Sequence, residues 1–405
     1  MKNVIKIHLS NLSTYENLQK VVDLKKMYSK KDWLNNKKEK GQTFMEFIRS
    51  KSRNRVTKSK NVIYIMCMDD DIPEDALEKL QMYCSAFFEG LTVKIMEEKI
   101  DVPSNVDQLG ITSRIRKDTK KIQYLATDLL DLLMNEHLPD DAYCVIGIIN
   151  KDLYPKPNWT FVFGCSRIRK RTGIFSFARY DPNFEISVLN SSSSQRESIN
   201  EKDEETRKLI IHRACKTMTH EIVHMFGVRH CIVNECLMNG TNRMQEGDLK
   251  PFLLCPVCLR KLHYAIGFDI AKRYHNLRNV LSSEFSENHH FTDHLKNLEH
   301  IISNSIGNVS DAEIEKDYRK FFDKIDHKET SNSEIESQFD ESSEKMIQLQ
   351  DESIEANNMV ISKTSKHKRP DFQPKGHSSL KGILSCCCKC TMFRSTKKDN
   401  IRMKR

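Results

Sequence analysis

His220-Glu221-Ile222-Val223-His224-Met225-Phe226-Gly227-Val228-Arg229-His230 decides the reading of this chain. Histidines four residues apart on a helix lie on one face, about 6 Å apart along the axis, so both imidazoles can point at one metal ion. Glu221 projects from the adjacent face, where it can reach a metal-bound water without becoming a ligand. Gly227 can take the φ > 0 conformation that ends a helix, and the turn beyond it can return His230 as a third ligand. Three protein ligands leave a fourth position open for water, which separates catalytic from structural zinc sites. A bare H-E-x-x-H pair turns up by chance in unrelated chains. A glycine and a third histidine at the right spacing make chance a poor explanation.

Downstream come Cys231, Cys236, Met238 and Cys255-Pro256-Val257-Cys258. Thiolates spaced C-x4-C and C-x2-C across a short loop suit a closed tetrahedral zinc site. The competing reading is four free cysteines that fill a core. Disulfide pairing fits less well, because nothing in the chain points to secretion. Met238 is either an ordinary core methionine or the Met-turn that follows H-E-x-x-H-x-x-G-x-x-H and floors the catalytic metal site. Both readings bury it.

The run from His220 to Cys258 resembles the archaemetzincins, zinc metallopeptidases of the metzincin clan (peptidase family M54). The resemblance extends upstream through residues 141–145, Asp152-Leu153-Tyr154-Pro155, Phe161-Val162-Phe163-Gly164 and residues 173–180, and downstream from Leu262 to about Tyr274. It implies that His220, His224 and His230 bind catalytic zinc and that Glu221 is the general base for attack of zinc-bound water on a peptide bond. It implies a structural zinc on Cys231, Cys236, Cys255 and Cys258, hence two Zn2+ per chain. It also favours short peptides and aminopeptidase-like cleavage. Beyond about residue 280 the resemblance says nothing about the chain.

At 405 residues and 38% hydrophobic, the chain can hold one large or two modest domains plus tails. Thirteen cysteines over this length are too dilute for a disulfide scaffold. The first ten residues lack the apolar run of a signal peptide, and no window offers the 18 apolar residues a membrane span needs. An intracellular location, cytoplasmic or also nuclear, is the expectation. The net charge of +9 is unevenly spread. Residues 363–405 carry thirteen Lys and Arg against two Asp and Glu, whereas residues 328–362 carry two against nine. Both blocks are Ser-, Glu- and Lys-rich and lack periodicity, the composition of a disordered tail.

The expected organisation is an N-terminal extension (1–60), an α/β metallopeptidase domain (61–280), a helical or linker segment (281–327) and the tail (328–405). The expected fold is an α+β mixed-sheet, metzincin-like domain with a zinc-stapled C-terminal subdomain. Strands are expected at 61–68, 91–96, 143–149, 159–164 and 174–180. Helices are expected at 71–88, at 119–137 with Leu125, Leu129, Leu130 and Leu133 on one face, and at 205–226. The strand at 174–180 is a candidate edge for pairing with an extended peptide, or else a core strand.

Arg179 and Tyr180 are candidate substrate contacts. His212, His263 and His275 read as surface or core histidines. Cys386, Cys387, Cys388 and Cys390 sit in the basic block, where clustered cysteines beside Lys and Arg suit palmitoylation and membrane attachment. Adventitious metal binding or no role are the alternatives. That block lacks interleaved aromatics, so no nucleic-acid partner is expected. The competing functional class is a non-catalytic zinc-binding interaction protein, which has no need of a base at Glu221. Oligomeric state is not legible.

Overall fold

The continuous apolar runs of this chain become the interior of a sheet, as expected for strands covered on both faces. The computed structural model of the chain describes residues 18, 22–50, 53–116, 120–135, 137–184, 199 and 202–306. The tail, its cysteine cluster and most of the Ser-rich insertion lie outside the described residues. Strand β1 (Val62–Cys67) pairs in parallel with β2 (Thr92–Ile95) on one side and β5 (Ala142–Ile149) on the other. The five-stranded sheet continues through β8 (Thr172–Ser176), parallel to β5, and ends on antiparallel β7 (Gly164–Arg167). All eight residues of β5 are buried, and from Cys144 onward its side chains alternate between two cores. Cys144, Ile146 and Ile148 face α3 (Glu74–Phe87) and α5 (Glu204–Met225). Val145 and Ile149 face α4 (Ala126–Asn135).

A second, three-stranded sheet orders β3 (Ser113–Ile115), β4 (Ile122–Leu125) and β6 (Asp152–Tyr154), with β3 antiparallel and β6 parallel to β4. Both sheets are mixed, in a mixed α/β architecture. Four short helical segments complete the picture on the motif side: α1 (Trp33–Asn36), α2 (Phe44–Arg49), α6 (Met244–Leu249) and α7 (Pro256–Ile266). Then come α8 (Ile270–Glu284) and α9 (Thr292–Ile301). These last two enter the same core as α3: the Tyr83 hydroxyl lies 3.1 Å from His294 Nε2, and Leu298 and Ile301 are buried. The described part of 281–327 is thus helical and packed onto the domain.

Several expected elements differ. The helix expected at 119–137 is helical only from Ala126, because residues 122–125 pair as β4. There Gln123 is fully buried and donates to Asp152 and to the Thr160 carbonyl, which a helix could not arrange. The strand expected at 159–164 begins only at Gly164. The Arg114 guanidinium takes the carbonyls of Pro157, Trp159 and Thr160 out of any ladder. The strand expected at 174–180 stops at Ser176, whose hydroxyl donates to Lys151 O and accepts from Ala178 N. It lies between β5 and β7, so the edge is β7.

Candidate metal centre and active site

Helix α5 starts at Asp203, whose carboxylate accepts from Thr206 N, and runs 22 residues to the foot of the sheet. Its amphipathic register buries His220 and Glu221 together, each 4% exposed. The helix ends where Gly227 adopts φ +93° and its N–H reaches His224 O at 2.8 Å. Any side chain at that φ is strained, so the glycine is what lets the chain turn back. The turn places His230 with its ring centroid 5.4 Å from His220 and 4.9 Å from His224.

Each imidazole is oriented through its Nδ1. His220 Nδ1 lies 2.8 Å from Leu237 O, His224 Nδ1 2.7 Å from Val228 O, and His230 Nδ1 3.0 Å from a Glu39 carboxylate oxygen. An oxygen acceptor at Nδ1 puts the proton there and leaves the Nε2 lone pair for a ligand. The Nε2 atoms of His220 and His224 stand 3.1 Å apart. Bonds of about 2.0–2.1 Å to one tetrahedral ion would set such a pair at about 3.3 Å. His230 Nε2 is buried with no hydrogen-bond partner, an orphan that a metal would satisfy. Burial, reinforced by nearby positive charge, pushes His220 well below its ordinary pKa and His224 to about 3. Both are therefore neutral, the form that ligates. The residues present fit zinc.

Cys231, Cys236, Cys255 and Cys258 also converge, with ligand atoms all within 4.8 Å of one another. Cys255 precedes α7, Pro256 begins that helix, and the next turn brings Cys258 round. The N–H groups of Met238 and Cys255 donate to Cys236 Sγ at 3.4 and 3.2 Å. Hydrogen bonds from the other three thiols pull Cys231 well down, against burial that raises it. The loop 236–239 serves both clusters. Cys236 belongs to one, Leu237 O orients His220 of the other, and fully buried Met238 accepts from Cys231 N at 2.8 Å.

Sequence reasoning missed the N-terminal contribution. Residues 23–42 lie along the loop after α5: Lys25 N donates to Val233 O, and Gln42 bridges Gly227 O and Arg229 N, each at 3.1 Å. Trp33, 1% exposed, meets His230 edge-on with ring centroids 5.4 Å apart. Burial opposes ionisation of Glu39, but its hydrogen bond and charge interaction with His230 outweigh it and hold the carboxyl below its usual range. The cluster Lys37-Lys38-Glu39-Lys40 reads locally as solvated charge and gives no signal of this.

Two candidates fall away. Arg179 forms a buried fork with Asp152 at 2.7 and 2.8 Å and stacks over Phe161, and Tyr180 is fully buried, so both are internal struts. His263 is a core histidine, driven by burial to about 4, and His212 is half-buried, pushed by desolvation to about 2. His275 is half-buried on α8.

Imidazole ligands around a shared point, with a buried carboxylate between two of them, are chemistry of the zinc-dependent metallopeptidases. Residues 59–264 match the model of peptidase family M54. The chain is 38% identical over 275 residues to archaemetzincin-2 of Homo sapiens, covering 64% of this chain and 75% of that one. It is 30% identical over 267 residues to archaemetzincin-1 of Rattus norvegicus, covering 62% and 52%. Among solved structures it is similar to an archaemetzincin from Methanopyrus kandleri, 24% identical over 52% of this chain and 97% of that one, at a TM-score of 0.37. The chain belongs to peptidase family M54, the archaemetzincins. It is a zinc-dependent metallopeptidase, acting on peptide or protein substrates. No described helix is long and apolar enough to cross a membrane.

Proposed function

We propose that His220, His224 and His230 hold the catalytic zinc, that Glu221 is the general base, and that Cys231, Cys236, Cys255 and Cys258 hold a second, structural zinc stapling the segment beyond α5. The convergence of imidazoles whose Nδ1 atoms all meet oxygen acceptors carries the reading. Zinc held by these histidines would supply a Lewis acid for the scissile carbonyl and a water acidic enough to lose its proton near pH ~7. The Glu221 carboxylate accepts the proton released as water attacks, and hands it to the leaving amine nitrogen. Edge strand β7 lies beside this carboxylate: a Cβ on Gly164 would come 3.1 Å from Glu221 Cγ. An extended substrate added to β7 would pass its backbone over the base. Aminopeptidase-like cleavage of short peptides is part of the proposal, on the family resemblance alone.

Elemental analysis of the folded chain is expected to give two zinc equivalents, and His224→Ala one, with the cysteine-bound ion retained. One equivalent in the wild type, lost with a histidine and indifferent to the cysteines, would remove the structural site. Glu39→Gln keeps shape and packing but loses the charge on His230, so affinity for the histidine-bound ion should fall by about 10–100-fold in chelator competition. Equal retention would mean that Glu39 does not support the ligand.

A further inference from the structure

Beside Glu221 the wall of the cleft opens into a cavity of about 50 Å³. By the same measure a single water needs about 10–15 Å³, so a carboxylate-sized group fits. Its lining carries an excess of positive charge, with Lys216, Lys250 and Arg213 set against Asp248 and Glu221. Arg213 and Asp248 pair with each other, at 2.9 and 2.6 Å. Lys216 and Lys250 are 6% and 7% exposed. Lys216 Nζ donates to the carbonyls of Gly247 and Asp248, both at 3.2 Å, and stands 4.7 Å from the Phe252 ring centroid. It forms no ion pair with a described carboxylate. Lys250 Nζ donates to Asn239 O at 3.4 Å and lies 3.4 Å from His220 Nδ1. That nitrogen already donates to Leu237 O, so the second contact sets donor against donor.

An ammonium buried over neutral carbonyls is costly unless an anion joins it. Desolvation, then the charge of Lys250, pushes Lys216 down to about 7, and a carboxylate in the cavity would restore the charged form. The cavity also touches His220 and Glu221, so whatever fills it sits next to the bond being cut.

We propose that this cavity is a carboxylate-binding subsite: Lys216 and Lys250 take an anionic group of the substrate within a residue or two of the scissile bond. The group is either the side chain of Asp or Glu or the free C-terminal carboxylate of a short peptide. The proposal rests on the reading of Glu221 and the three histidines as the place of cleavage.

The test uses the full zinc-loaded chain and short peptides in matched pairs, Glu against Gln at each position flanking the cut, and free acid against amide at the C-terminus. Binding is measured by calorimetry in a Glu221→Gln background, and kcat/KM in the wild-type background. One carboxylate-bearing member is expected to bind at least about tenfold tighter than its neutral partner, the gain of a charge-assisted contact in a buried site. The pair that shows the ratio identifies the source of the carboxylate. In Lys216→Met the ratio should collapse toward one, while Lys216→Arg keeps part of it. Ratios near one in every pair, or a ratio unmoved by Lys216→Met in protein of unchanged zinc content, overturn the proposal. If Lys216→Met does not fold, the ratios of the Lys216 protein and of Lys216→Arg decide it. Binding does not depend on turnover: if the wild type cleaves none of the peptides, the catalytic reading fails, while the binding ratios still decide the subsite.

Discussion

Glu221→Ala is expected to keep its zinc and its fold while hydrolysing peptides at least about 100-fold more slowly, the contribution of a positioned general base. The residue sits one position after His220 on the same buried turn, yet all three orienting hydrogen bonds of the histidines bypass it. Loss of activity alone could come from unfolding, so zinc content and thermal melting must be read alongside it. His224→Ala supplies the contrast, losing both activity and the ion. Wild type and Glu221→Ala cleaving a peptide library equally well would assign the activity to a contaminant or to another mechanism. A wild type that cleaves nothing while partners still bind it would favour the interaction-protein reading.

Cys255→Ser should give the largest loss of stability. A serine hydroxyl is a poor substitute for a thiolate on zinc, and the vacated position is surrounded by buried Cys236 and Cys258 and half-buried Cys231. Loss of that ion should cost about 3–5 kcal/mol and lower Tm by roughly 10 °C for a domain of this size. The damage should spread, because Cys236 leads directly into the carbonyl of Leu237 that orients His220. The histidine-bound zinc should therefore also be released at lower chelator concentration than in the wild type. An unchanged zinc count with an unchanged melting curve would leave these cysteines as ordinary core residues.

What could be read from sequence was local. The register of α5 follows from an i, i+4 pair and a glycine stop, and the Cys255-x-x-Cys258 pair announces its own turn. Strands β1 and β5 were legible because strands buried on both faces are apolar throughout. Strand β4 was not: Leu125 continues the leucine spacing of α4, so one helix seemed to cover both. Strands β3 and β6 have three residues each, too few to show a period. Glu39, Trp33 and Gln42 were invisible for another reason. Their roles depend on partners some 190 positions away, and nothing in a charged N-terminal stretch says which loop it will meet. Lys216 reads as an ordinary cation on a helix until the chain around Gly247 closes over it.

That separation has a consequence for synthesis. Glu39 leaves the ribosome 191 residues before His230, so at about 5–20 residues per second the strap waits roughly 10–40 s for the loop it braces. Through nearly all of that interval none of the three histidines exists, and the third is the last to appear. The peptidase centre finishes only when both ends of its domain have emerged, so it cannot act on the chain before residue 230 has been made. Proteolytic trimming before about residue 42 would act in the opposite direction after release, loosening His230 without touching any ligand.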